Sequence, residues 1–168
     1  MPMVQSALDP RRSAALFLAS IRGVMKTGAS MSERIRVVLR WIQIKDNKEA
    51  AWDDEGEFRF KSKIMTQGVS HELEFPEKGY WSISDHPARN KIDKIDKILF
   101  EGPIGDSLAV ELSGVELDTL TANDPLENYS KSFTGDPSSW LGRHQPTDEG
   151  AGDPENLSDW RICYDIES

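Results

Sequence analysis

The chain has little of what proteins use for cross-linking, membrane crossing or catalysis. Its 168 residues include one cysteine, Cys163, so no internal disulfide can form, and no partner at CxxC or CxxH spacing suggests a zinc knuckle. A reducing, cytoplasmic setting is the expectation. No apolar run approaches the roughly 20 residues that span a bilayer, so a soluble chain is expected. The three histidines, His71, His86 and His144, are scattered, and HExxH, GxSxG, P-loop and dinucleotide fingerprints are all missing. Ser84-Asp85-His86 sets three catalytic residue types side by side, but a triad is assembled from distant segments, so this adjacency argues against one. The sequence therefore reads as a binding protein and not an enzyme.

Acid is in excess: 20 bases face 29 acids, a formal charge of −9. Residues 1–30 carry Arg11, Arg12, Arg22 and Lys26 against Asp9, a net of +3, which leaves −12 on residues 31–168. Such a body repels nucleic acid and anionic lipid unless a cation intervenes. Nucleic acid is not an expected partner.

The N-terminal stretch stands apart. Asp9-Pro10 has the form of a helix cap followed by proline at the first helical position, and Ala14 to Lys26 continues mostly in helix formers. The apolar run Ala14 to Ile21 after Arg11-Arg12 imitates an export signal, but Arg22 interrupts it and no clean small-residue cleavage site follows. A short helix or tail over residues 1–30 is the expectation, with Met31 an alternative start.

From residue 31 onward the pattern is that of strands. Arg34 to Ile44 is rich in β-branched and aromatic residues. In Glu57 to Thr66, Phe58, Phe60 and Ile64 alternate with charged residues, the period of a sheet with one wet face. Ser70 to Ser84 holds two short runs split by Pro76 and Gly79, either a hairpin or one kinked strand. Ile92, Ile95 and Ile98 recur every third residue ahead of the extended run at 97–100. Leu108, Val110 and Leu112 alternate, then Val115 and Leu117 continue one residue out of phase, which predicts a bulge at Ser113-Gly114. The chain closes on Trp160, Ile162, Tyr164 and Ile166, alternating with Arg161, Cys163, Asp165 and Glu167; at a sheet edge this strand would be open to pairing between subunits. Seven or eight strands of this spacing predict an all-β, antiparallel two-sheet sandwich with Greek-key connections over residues 31–168.

The acids gather in three loops. The first holds Asp46, Glu49, Asp53, Asp54 and Glu55; the second Asp118, Asp124 and Glu127; the third Asp148, Glu149, Asp153, Glu155 and Asp159. Neighbouring carboxylates repel by about 1 kcal/mol per pair in water, and calcium, which takes six to eight oxygens from flexible loops, relieves such repulsion. A solvated acidic rim is the plainer alternative, and no EF-hand spacing is present.

Residues 96–133 resemble the second half of a C2 domain. An aromatic strand leads through a short turn to an alternating strand, a polar loop, a further Asp and a Leu before the next strand. Asp118 matches one aspartate of the C2 pattern and Asp124 the last, while Leu126 and Glu127 take the place of Leu-Gly. Leu120 stands where calcium-binding members carry another carboxylate. The resemblance implies a C2-like sandwich that binds Ca2+ through Asp53, Asp54, Asp118 and Asp124, with Asp46 a further candidate. Bound calcium would then bridge to an anionic partner, a phospholipid surface or an acidic protein surface, and of these the resemblance implies the lipid. The first and second loops share one end of the sandwich only if Ser70 to Ser84 counts as a single strand.

Trp41, Trp81 and Trp160 fall in strand patterns and are expected in the core. Trp52 and Trp140 lie in loops, either as binding surface or as anchors packed on the sandwich. Aromatic loop residues also suit a carbohydrate-binding module, and a metal-independent interaction or structural sandwich is the remaining alternative. Cys163 is expected to be inert.

Overall fold

The computed structural model of the chain describes residues 33–47, 55–118, 122–147 and 152–168; the expected N-terminal helix lies outside them. Eleven strands follow in order: β1 (Arg34–Ile44), β2 (Glu55–Thr66), β3 (Val69–Phe75), β4 (Trp81–Ser84), β5 (Lys91–Ile92), β6 (Lys97–Pro103), β7 (Ser107–Glu116), β8 (Asp124–Pro125), β9 (Tyr129–Thr134), β10 (Gly142–His144) and β11 (Trp160–Glu167). They make two antiparallel sheets packed face to face, so the all-β sandwich expected from the alternation is what forms. No helix among the described residues is long and apolar enough to cross a membrane.

In the first sheet β10, β11 and β1 lie side by side, and both β5 and β6 pair with the free side of β1; in the second, β3 and β4 pair with one side of β2, β7 with the other, and β8 and β9 both pair with the far side of β7. Three outer strands are thus each broken in two. The break at Pro76 to Tyr80 answers the question the sequence left open. Phe75 pairs with Phe60 and Trp81 with Phe58, so β3 and β4 run on as one kinked strand and do not form a hairpin. The last strand is no edge, because β11 lies between β1 and β10.

The core lies between the inner faces. Ile35, Val37, Leu39, Ile42 and Ile44 of β1 and Ile162, Tyr164 and Ile166 of β11 meet Phe58, Phe60 and Ile64 of β2 and Leu108, Val110 and Leu112 of β7. The centroid of Phe60 stands 5.5 Å from that of Trp160 and 5.7 Å from those of Phe75 and Trp81. Aromatic pairs at such separations add about 0.5–1.5 kcal/mol each beyond the area they bury.

Two expectations fail here, both over strand phase. The bulge predicted at Ser113-Gly114 is absent: β7 holds unbroken register with β2 from Leu108 opposite Thr66 to Glu116 opposite Phe58. Gly114 and Glu116 therefore face inward, and Val115 and Leu117 face out. The glycine is required where it stands, because a β-carbon on it would lie 2.7 Å from Leu126 Cδ1 and 2.9 Å from the Phe60 ring. The true irregularity is in β1, where the register with β11 shifts between Leu39 and Trp41. It puts Arg40 and Trp41 together on the outer face. Trp41 is therefore half-buried under Lys91 Nζ, 4.3 Å from its ring, and not in the core; Trp160 is fully buried, and Trp81 packs partly buried against the core.

On that outer face Arg40 is held by Asp96 at 2.8 Å, Asp165 at 2.7 Å and Glu167, while Arg143 grips both oxygens of Asp165 at 2.9 and 3.0 Å. The two guanidiniums, Arg143 first, hold the Asp165 carboxyl below the usual aspartate range against the opposing effect of its burial.

Gly114→Ala is expected to overpack this contact and cost about 1–3 kcal/mol, read as a lower denaturant midpoint with an unchanged slope.

Candidate functional site

Because β3 and β4 form one line, the end of β1, the start of β2, the end of β4, the end of β7 and the start of β11 all lie at one end of the sandwich. Glu55 pairs with Ser84, Phe58 with Glu116, and Ile44 with Trp160. The three acidic loops leave from this tip. Of the five candidate calcium ligands, Asp46, Asp118 and Asp124 are described and stand here; Asp53 and Asp54 lie outside the described residues, as do Trp52, Asp148 and Glu149.

Asp159 ties the loops together. Its backbone carbonyl accepts the amides of Lys45 (2.7 Å) and Asp46 (3.1 Å), and its carboxylate accepts the amide of Glu127 (2.9 Å). Glu127 answers by accepting the Ser158 amide at 2.6 Å, and its carbonyl accepts the Trp160 indole N–H at 2.7 Å. The Ser158 N–H holds the Glu127 carboxyl below the usual glutamate range, opposed by desolvation and by Asp159 nearby. Glu127 thus staples two loops.

Other acids of the third loop also have protein donors. Asp153 accepts the amide and hydroxyl of Thr147 at 2.9 and 3.0 Å. Glu155 is buried and accepts Lys131 Nζ at 2.8 Å and the Tyr129 hydroxyl at 2.9 Å. That loop has no base of its own, and β9 supplies one.

One residue of the tip was missed in the sequence. Glu116 faces inward, is 2 % exposed, and sits in register opposite Asp124, with one oxygen 3.4 Å from the Glu57 amide nitrogen that donates to it. The signal was available, since an unbroken alternation from Leu108 places a carboxylate on the core side at position 116. The supposed bulge concealed it. Asp118 is half-buried, its amide donating to Asn123 Oδ1 at 3.1 Å.

The described residues alone do not make a calcium cage: among them, no group of three or more His, Cys, Asp or Glu side chains is arranged to hold a metal ion. The fit of calcium to the tip therefore rests on Asp53 and Asp54 joining Asp46, Asp118 and Asp124.

Ser84, His86, Cys163 and Trp140, each singled out in the sequence, all have structural neighbours. The buried Ser84 hydroxyl accepts the His86 amide at 2.9 Å, and His86 Nδ1 accepts the Ala88 amide at 3.2 Å, which makes a turn and not a triad. Cys163 is buried, and desolvation pushes its thiol up to about 11. Trp140 is buried too, its indole N–H donating to the Thr134 carbonyl at 3.3 Å, so it anchors its loop and offers no binding surface. The outer face of the second sheet carries a groove of about 410 Å³ between β2 and β9. Its cations are paired, Lys61 with Glu72 at 2.7 Å and Lys63 with Glu111 at 3.4 Å.

No protein-family model matches the chain, and no curated protein is significantly similar to it.

Glu127 is expected to stabilise the fold fully above about pH 4.5, the ordinary glutamate value, and to lose that contribution as pH falls through its lower folded value. The difference in Tm between the native chain and Glu127→Gln should accordingly close on acidification. The Cys163 thiol, raised from 9.0 to about 11, should alkylate on the order of a hundredfold more slowly at pH 8 in the native chain than in denaturant.

Proposed function

We propose that the chain is a C2-like binding module, with Greek-key connections between its sheets, that presents the acidic tip to its partner. The observation that carries this reading is the convergence of the β1–β2, β7–β8 and β10–β11 loops on one end, with Asp46, Asp118 and Asp124 among the residues there. The strand order supports it as well, since β1 with β11 and β2 with β7 form the sheet centres and the chain passes four times from one sheet to the other.

On this reading Asp53 and Asp54 complete a calcium site with Asp46, Asp118 and Asp124. Calcium supplies positive charge that offsets the repulsion of these carboxylates and reaches out to an anionic phospholipid or protein surface, which the net −12 of residues 31–168 would otherwise repel. The protein's own contribution is a set of contacts made before binding: Asp159 holds the amides of Lys45, Asp46 and Glu127, and Glu127 holds that of Ser158.

A metal-independent interaction module is the second reading. It is favoured by the way the described acids are already engaged: Glu127 and Asp159 on backbone amides, Glu155 on Lys131.

Thermal unfolding of the full chain separates the two. At a calcium concentration a hundredfold above Kd the folded state gains about 2.7 kcal/mol, which raises the midpoint by several degrees; magnesium leaves it in place, and Asp53→Asn with Asp118→Asn removes the rise. Equal midpoints in millimolar calcium and in chelator would reject the calcium site and leave the metal-independent module.

A further inference from the structure

We propose that Lys131 and Glu155 are positioning residues for the tip, a latch at the seam between the sheets that sets how firmly the acidic loops are held. This rests on the reading of the tip as the binding face.

The seam lies where β9, an outer strand of one sheet, faces β10 and β11 of the other. Lys131 points inward from β9, although its neighbours Ser130 and Ser132 face out. Its ammonium meets Glu155 Oε1 at 2.8 Å and His144 Nδ1 at 3.4 Å. The side chain of Glu155 is 3 % exposed and that of Lys131 28 %. The Tyr129 hydroxyl donates to the same Glu155 oxygen, and the hydroxyls of Tyr129 and Tyr164 lie 2.7 Å apart. Burial pushes both phenols well above the usual tyrosine range, so they stay neutral and Lys131 provides the positive charge beside Glu155.

Glu155 sits four residues before Asp159 on one short strap. Between them Leu157 is buried, its amide donates to the Trp160 carbonyl at 3.0 Å, and its carbonyl accepts Lys45 Nζ at 2.7 Å. Asn156 Oδ1 accepts Arg161 Nε at 2.7 Å. At the far end Asp159 holds the amides of Lys45, Asp46 and Glu127. The strap therefore runs from a buried carboxylate, paired with Lys131 at the seam, to the residue that ties all three loops.

The physics makes this a latch and not merely one more contact. A buried carboxylate that loses its counter-ion is far costlier than a lost surface pair, so with the Lys131 charge removed Glu155 is driven toward water. Its movement pulls on the strap, which is also held by the Ile162 amide on the Glu155 carbonyl at 3.1 Å, and the strap carries Asp159. Lys131 is exposed enough for solvent, a ligand anion or a modifying enzyme to reach it, so its charge is a control point remote from the acids it positions.

The test is amide hydrogen exchange on the full chain in chelator, comparing the native protein with Lys131→Met and Lys131→Arg. In Lys131→Met the amides of Lys45, Asp46 and Glu127 should exchange about tenfold faster while those of β2 and β7 keep their protection, and Lys131→Arg should restore the native pattern. Unchanged exchange at the three amides, or equal acceleration throughout β2 and β7, would overturn the latch. Since no calcium is present, this result stands apart from the thermal titration: a released strap with no calcium response rejects the calcium site alone, and a calcium response with a strap unmoved by Lys131→Met rejects the latch alone.

Discussion

The contact between Phe60 and Trp160 joins what the rest of the molecule keeps separate. Phe60 belongs to the second sheet and Trp160 to the first, and their rings close the core near the tip. The indole N–H of Trp160 reaches the Glu127 carbonyl, so the side chain that fills the core also fixes an acidic loop. Gly114 makes room for Phe60 and Leu126, and the backbone of Trp160 accepts the Leu157 amide. Core packing and loop geometry are in this way one problem with one solution. A full-sized aromatic is worth about 3–5 kcal/mol in such a place, a large part of the 5–15 kcal/mol by which a domain is stable.

Much of the sandwich could be read in the sequence, and the failures have local causes. β2 and β11 were legible because Phe58, Phe60 and Ile64, and Trp160, Ile162, Tyr164 and Ile166, keep strict alternation. The end of β7 was misjudged because its inward places are taken by Gly114 and Glu116 while Val115 and Leu117 face out, so hydrophobicity reported the wrong phase. Trp41 was misplaced because one extra residue at Arg40 turned it outward. Whether Pro76 and Gly79 marked a hairpin or a kink was undecidable from the sequence, since the answer lies in β3 and β4 pairing with the same side of β2. Of the acidic site, composition gave the residue types and could not give their partners. Glu155 with Lys131, Glu127 with Ser158 and Asp159 with Lys45 are all brought together by the fold from distant segments.

The acidic loops are also less alike than their composition suggests. In the first and second loops the described candidates Asp46, Asp118 and Asp124 stand at or near the surface. In the third, Glu155 and Asp159 serve as internal acceptors, one for the half-buried Lys131 and the other for backbone amides. Negative charge at the tip thus has two physical uses, display and fastening. Acids facing backbone N–H groups make shorter and stronger bonds than neutral acceptors would, so part of the charge at the tip has a use inside the fold.

The broken outer strands carry one more implication. A β-sheet is at risk wherever a long straight edge offers unpaired N–H and C=O groups to a passing chain. Here the first sheet ends in the three-residue β10 on one side and in β5 and β6, parted by Asp93 to Asp96, on the other; the second ends in β3 and β4, parted at Pro76 to Tyr80, and in β8 and β9, parted at Leu126 to Asn128. Among the described residues every edge is short or interrupted, and the strands β1, β2, β7 and β11 are all interior. A strand from another molecule would find at most seven residues of template, in β3 or β6, before the ladder breaks, so these two sheets give limited purchase to strand addition and to fibril growth.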